Sequence, residues 1–180
     1  MNRVFNKRRA TVLSPWVTLV TRTVSAAFYD SPQEFHSLQP ADYVSVFAVT
    51  SDGRIPLVRQ YRPALDRHTL ELPSGLLGKN EKPRQSAARE LFEETGCRAG
   101  PRLHALGVLS PDTGRLENRL WAFAATHVTR APSGWEPERG VECVIVSKRE
   151  FKRLILNGDF DHAMNLAVIM LAVLQGRFAF

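Results

Sequence analysis

At 180 residues, with 44% hydrophobic and 23% charged side chains, the chain is long enough for one sizeable domain and short for two. No apolar run approaches the roughly 18 to 20 residues of a membrane span, and Cys97 and Cys143 are too few for a disulfide framework, so a reducing, cytoplasmic setting is expected. The net charge of +6 favours anionic partners without choosing among them.

The N-terminus, MNRVFNKRRATVL, has no long apolar stretch or small-residue cleavage site, which argues against a secretory signal. Arg3, Lys7, Arg8 and Arg9 read as a disordered basic tip. VTLVTRTV (17–24) alternates as a strand does, with Pro15 just ahead of it. SPQEFHSLQPAD (31–42) is polar, holds two prolines and reads as a connection. YVSVFAVT (43–50) predicts a strand, SDGR a turn, and IPLVRQY (55–61) the second arm of a hairpin. TLELP (69–73) predicts a short strand. LHALGVLS (103–110), RLWAFAATHV (119–128) and VECVIVS (141–147) predict three more. KREFKRLILN (148–157) and DHAMNLAVIMLAVLQ (161–175) predict helices, the second broadly apolar and therefore buried. Strands with one central helix and two late ones predict an α/β sandwich around a mixed sheet.

The central helix lies within GLLGKNEKPRQSAARELFEETGC (75–97). Pro83 suits its first turn and Gly96 the left-handed position past its end, whereas Lys82 is a weak cap. Ala87, Ala88, Leu91, Phe92 and Thr95 fall on one face, and Glu90, Glu93 and Glu94 share an adjoining arc roughly 100° wide. Arg89 and Glu93 form an i,i+4 pair. Glu90 and Glu94 have no basic residue at the corresponding spacing, since Ser86 precedes the one and Arg98 lies beyond the helix. Carboxylates crowded on one arc repel each other unless hard cations sit among them, and divalent ions with oxygen ligands meet that need. The histidines His36, His68, His104, His127 and His162 are scattered without zinc-ligand spacing, and no P-loop or Rossmann glycine motif is present.

Gly75, five residues, Glu81, seven residues, then Arg89-Glu90-Leu91-x-Glu93-Glu94-x-Gly96-Cys97 resembles the Nudix box, with Cys97 where an aliphatic residue is usual. Seven fixed positions would match by chance on the order of once in a million chains of this length. The resemblance implies a Nudix-type α/β/α sandwich around a mixed sheet, covering 41–180, with a small N-terminal β extension (1–40). It implies Mg²⁺ or Mn²⁺ and hydrolysis of a nucleoside diphosphate linked to another group. By the family pattern the Ser74 carbonyl would be a metal ligand beside Glu90 and Glu94, with Glu93 supporting a further ion. Arg89 would orient Glu93, Glu81 would brace the loop, and Gly75 would let the backbone approach closely.

VRQYRPALDRHTLELPSG (58–75) is similar to the approach to the box in ADP-ribose pyrophosphatases, where Arg62 matches a phosphate-contacting arginine. Arg59 reads as a strand-surface charge. Pro111 stands about where that subfamily carries a proline, but Asp112 replaces the usual Gly, and DTGRLENR is longer than the common version. SPWVTLV and EFHSL resemble segments that form a swapped small sheet in dimeric members and sandwich adenine between aromatics. Trp16 and Phe35 match those positions, and each stacked ring would contribute about 1–3 kcal/mol. A general base would come from GWEPERGVE, with Glu138 first, then Glu136; Glu142 falls within the predicted strand. The resemblance thus implies a homodimer that hydrolyses a nucleoside diphosphate sugar, ADP-ribose to AMP and ribose 5-phosphate before others, with no membrane or nucleic-acid partner. GDP-mannose, UDP-glucose, dinucleoside polyphosphates and RNA 5′ ends are alternative substrates. A ligand-sensing regulator is disfavoured because the box is intact and no residues are left for a DNA-binding domain.

Overall fold

The computed structural model describes residues 5–25, 29–131 and 134–180, and the chain divides into two compact units. The first comprises Met1–Asp42 with Ser110–Arg119, and the second Tyr43–Leu109 with Leu120–Phe180. The first unit therefore takes ten residues from the interior of the segment assigned by sequence to the main domain.

In the first unit β1 (Phe5–Ser14), β2 (Val17–Val24) and β3 (Gln33–Pro40) form an antiparallel sheet in that order. Two expectations are corrected here. Lys7, Arg8 and Arg9 belong to β1, paired with Thr23, Arg22 and Thr21, and are not a free tip; Arg3 lies outside the described residues. Residues 33–40 are a strand and not a connection, because cross-strand hydrogen bonds to β2 compensate for a polar sequence. Its prolines stand just before the strand and at its end, where a missing N–H costs little. The free edge of β3 is met by the 110–119 segment. Leu38 N–H donates to the Arg115 carbonyl at 2.7 Å, and Glu117 N–H donates to the Leu38 carbonyl at 2.9 Å.

In the second unit β4 (Tyr43–Thr50) runs parallel to β10 (Leu120–Arg130) and antiparallel to β7 (Ser74–Leu76). β8 (Cys97–Arg98) and β9 (Leu103–Leu109) pair antiparallel with β10. A separate antiparallel sheet has the order β11 (Val141–Val146), β5 (Ile55–Arg62), β6 (Arg67–Glu71). The SDGR turn closes as expected, with Thr50 N–H donating to the Arg54 carbonyl at 2.8 Å. Its arms do not form a hairpin, since β4 and β5 diverge into different sheets.

The alternation of β4 and β10 divides the core between two faces. Val44, Val46, Ala48, Phe123 and Ala125 pack with Ala87 and Leu91 of α1 (Pro83–Thr95). Phe47, Leu120, Ala122 and Ala124 pack with Phe151 and Leu154 of α2 (Lys148–Leu156) and Val168, Ile169 and Ala172 of α3 (Ala163–Leu174). Helix, mixed sheet and helices give the α/β/α arrangement that the order of elements implied. Among the described residues no helix is long and apolar enough to cross a membrane.

Candidate active site

Helix α1 begins after Lys82, whose N–H is received by the Gln85 side chain at 3.1 Å, so a residue inside the first turn closes the end that Lys82 caps poorly. It ends at Gly96, in the left-handed region at φ 67°, whose N–H donates to the Phe92 carbonyl at 2.8 Å. The buried face differs from the expected one. Ser86, Ala87, Glu90, Leu91, Glu94 and Thr95 point inward, while Ala88 is exposed and Phe92 half-buried beneath the Arg98 guanidinium. Two carboxylates therefore belong to the buried face.

Both face the strand that precedes the helix. Glu94, 5% exposed, accepts the Ser74 N–H at 2.8 Å. A Cβ on Gly75 would sit 2.2 Å from the Glu90 carboxylate carbon, so only glycine leaves room for that group. Arg89 gathers the remaining acids. Its guanidinium donates to both oxygens of Glu81 at 3.0 Å, to Glu93 at 2.8 Å and to Ser86 Oγ at 3.2 Å, and pairs with Glu90 at 2.7 Å. Glu90 thus has a basic partner that i,i+4 reasoning overlooked, the adjacent Arg89. Glu81 in turn accepts the Gly78 N–H at 3.2 Å, which ties the loop to the helix.

The electrostatics divide the acids by surroundings. Burial raises Glu94 most; the Ser74 N–H and Arg62 oppose it, Glu90 and Glu138 add to it, and the carboxyl is pushed up to about 8. Burial also raises Glu90, with Arg89 working against the rise and Glu93 and Glu138 with it. Glu138, exposed in the loop before β11, thus acts on both buried carboxylates. Glu81 is held low by the Arg89 bonds against a smaller burial cost.

Arg62 ends β5 and donates to both oxygens of Glu71, through Nε at 2.7 Å and Nη2 at 2.5 Å. Glu71 is 2% exposed; its burial opposes ionisation, but the bonds from Arg62 and Thr69 outweigh that and lower its pKa. A cavity of about 280 Å³ opens here, lined by Arg62, Glu71, Ser74, Gly75, Tyr43 and His162 among others. Arg59 lies on the strand surface, paired with Glu142 at 3.1 Å. Buried Asn165 of α3 accepts the Leu72 N–H at 2.9 Å and donates to Ser45 Oγ at 3.3 Å, fixing the chain just before Ser74.

Residues 39–159 match the NUDIX domain family. The chain belongs to the Nudix family. It is 38% identical to an ADP-ribose pyrophosphatase of Mycobacterium tuberculosis over 170 residues, 93% of this chain and 75% of that one. A 56-residue stretch is 50% identical to an ADP-ribose pyrophosphatase of Bacillus subtilis; it covers 31% of this chain and only 30% of that relative's length. The fold matches a solved structure described as an ADP compounds hydrolase, with a TM-score of 0.78 at 22% identity, covering 97% of this chain and 96% of the other.

Ser74 and the box residues Gly75, Glu81, Arg89, Glu90, Glu93 and Glu94 are gathered along α1 and its approach, with Arg62 and Glu138 acting electrostatically on Glu94. Trp16, Phe35 and Pro111 belong to the first unit. There Trp16 occupies the β1–β2 turn and Phe35 pairs with Arg22, five register steps from the Val17–Pro40 pair beside Trp16. That is about 17 Å along the strand. Asp112 folds its own loop, since its Oδ1 accepts the N–H groups of Gly114 and Arg115 at 2.8 and 3.1 Å.

Sequence reading missed the part played by Glu71 and Asn165, two polar residues in otherwise apolar segments. A buried acid two residues before Pro73 and an Asn within an apolar helix were the available signals.

The donor set fits a hard divalent cation. It consists of oxygens, Gly75 leaves a cradle that a Cβ would fill, and the Glu94 charge is uncompensated enough to be driven toward neutrality. Among the described residues no three His, Cys, Asp or Glu side chains converge on one point, and Glu90 and Glu93 both pair with Arg89.

Proposed function

We propose that this chain is a divalent-cation-dependent pyrophosphohydrolase of nucleoside diphosphate sugars, acting on ADP-ribose to give AMP and ribose 5-phosphate. The observation that carries this reading is the pair of buried carboxylates, Glu90 and Glu94, packed against the Ser74–Gly75 backbone with no room for a Cβ between. The 38% identity to an ADP-ribose pyrophosphatase over most of the chain supports the choice of substrate.

Glu90 and Glu94 with the Ser74 carbonyl would hold Mg²⁺ or Mn²⁺, and Glu93 a further ion. The bound cation would neutralise pyrophosphate oxygens and acidify a coordinated water. Arg89 keeps Glu93 in place while Glu81 ties down the loop. Arg62 commits Nε and Nη2 to Glu71, which leaves Nη1 to meet a phosphate oxygen. Glu138 takes a proton from the attacking water; the water oxygen bonds to one phosphorus as the bridging P–O bond breaks.

We also propose a homodimer. Trp16 and Phe35 of one copy are too far apart to cover both faces of one base, so a sandwich needs one ring from each copy. The test of the reaction is a substrate panel with Mg²⁺, comparing ADP-ribose, UDP-glucose, GDP-mannose, NADH and dinucleoside polyphosphates by released monophosphate. ADP-ribose should give the highest kcat/KM; a dinucleoside polyphosphate ahead of every nucleotide sugar would overturn the substrate class.

A further inference from the structure

The loop that carries Glu138 has an anchor. Trp135 packs on Gly96 so closely that a Cβ there would lie 2.7 Å from Cδ2 and 2.8 Å from Cε3 of the indole. Gly96 ends the helix two residues after Glu94, and its carbonyl accepts the Ala131 N–H at 2.7 Å. At the other end of the loop, Val141 N–H donates to the Glu138 carbonyl at 3.0 Å as the chain enters β11. Glu138 is exposed, and its charge contributes to the raised pKa of both Glu90 and Glu94. Where those acids are ionised, like charge would push Glu138 and its loop away from them. A large ring seated on a glycine opposes that push at low conformational cost, because Trp has only two side-chain torsions to fix.

We propose that Trp135 is a positioning residue, which uses Gly96 as its seat to hold Glu138 over the carboxylates of α1. Gly96 thus serves twice, as the left-handed end of the helix and as a flat surface for the indole. The inference rests on the reading of Glu138 as the base. It adds what fixes that base in space.

Five proteins test it: the full-length chain, Trp135→Ala, Trp135→Phe, Glu138→Gln, and the Trp135→Ala/Glu138→Gln double variant. Each is assayed with Mg²⁺ and ADP-ribose, and the amides of residues 134–136 and 138–141 are followed by hydrogen exchange. Trp135→Ala should lower kcat about 10- to 30-fold, part of the contribution expected of a general base. KM and the Mg²⁺ concentration for half-activation should stay within about twofold, and loop exchange should accelerate. Phe should restore most of the turnover, and the double variant should be no slower than Glu138→Gln alone. Unchanged exchange in Trp135→Ala overturns the anchor, even if ADP-ribose proves not to be the substrate. Full turnover in Glu138→Gln overturns the positioning role and the base assignment together. Losses that multiply in the double variant overturn the coupling and leave Trp135 a packing residue.

Discussion

Glu94 is buried with one backbone N–H as its hydrogen-bond partner, and such a carboxylate contributes little to packing that an amide of the same shape would not. If Glu94 faces the metal as proposed, Glu94→Gln should lower kcat by about 10³-fold or more while leaving the melting temperature intact or raised. Near-normal Mg²⁺-dependent turnover in that variant would show that this helix does not hold the cation. Gly75 allows a sharper test, since an added methyl would lie 2.2 Å from the Glu90 carboxylate and must displace it. Displacing a reacting-centre group by about an ångström costs on the order of 10²-fold. Gly75→Ala should accordingly lose about that much in kcat/KM and need more Mg²⁺ for half-activation. An unchanged Mg²⁺ requirement would separate Glu90 from the metal.

At the scale of elements, the parts legible in sequence were those with strong local signals. The box gave α1 its ends through Pro83 and Gly96, and apolar alternation marked β4 and β10. Less legible were elements whose stability is supplied from a distance. β1 and β3 are polar or basic and exist through pairing with β2, and Ser110–Arg119 joins the first unit through bonds to Leu38 and Ala41. No local pattern encodes those partners. The inward turn of Glu90 and Glu94 was legible only in part, because spacing set them beside the apolar face but the room for them is made by Gly75 across the strand.

Within the first unit Glu117 holds that assembly together. It accepts two bonds from the Arg22 guanidinium and one from the Ser37 hydroxyl. The Arg22 bonds outweigh burial, and with Ser37 and the charges of Arg22 and Arg8 they bring its pKa down to about 2. A folded-state value below the ordinary 4.5 means stability that is present above pH 4.5 and lost as pH falls toward 2. Glu117→Gln should lower the melting temperature at pH 7 by about 3–8 °C. It should also flatten the loss between pH 4.5 and 2, as read by calorimetry across that range. A variant that keeps the full acid slope would place the responsible carboxylate elsewhere.

At the scale of the whole molecule, the first unit is a small sheet with much of its apolar surface in solvent. Val12, Leu13, Trp16 and Phe35 are 74%, 58%, 68% and 45% exposed. Isolated exposed apolar residues are ordinary, but four on one three-stranded sheet that also leaves the β1 edge unpaired among the described strands invite association. A two-fold pairing would cover them and would set Trp16 of one copy against Phe35 of the other, so that assembly and base binding become one property. The full-length chain should then sediment at about twice its 20.2 kDa at micromolar concentration. Val12→Asp, which adds a charge at the most exposed of these positions, should yield monomers whose KM for ADP-ribose rises at least tenfold, with the Mg²⁺ requirement unchanged because α1 is untouched. Trp16→Ala should raise KM with a smaller effect on assembly, losing the about 1–3 kcal/mol of one stacked ring. A monomer that hydrolyses ADP-ribose efficiently would sink the model, and Trp16 and Phe35 would then be surface residues with no part in the base site.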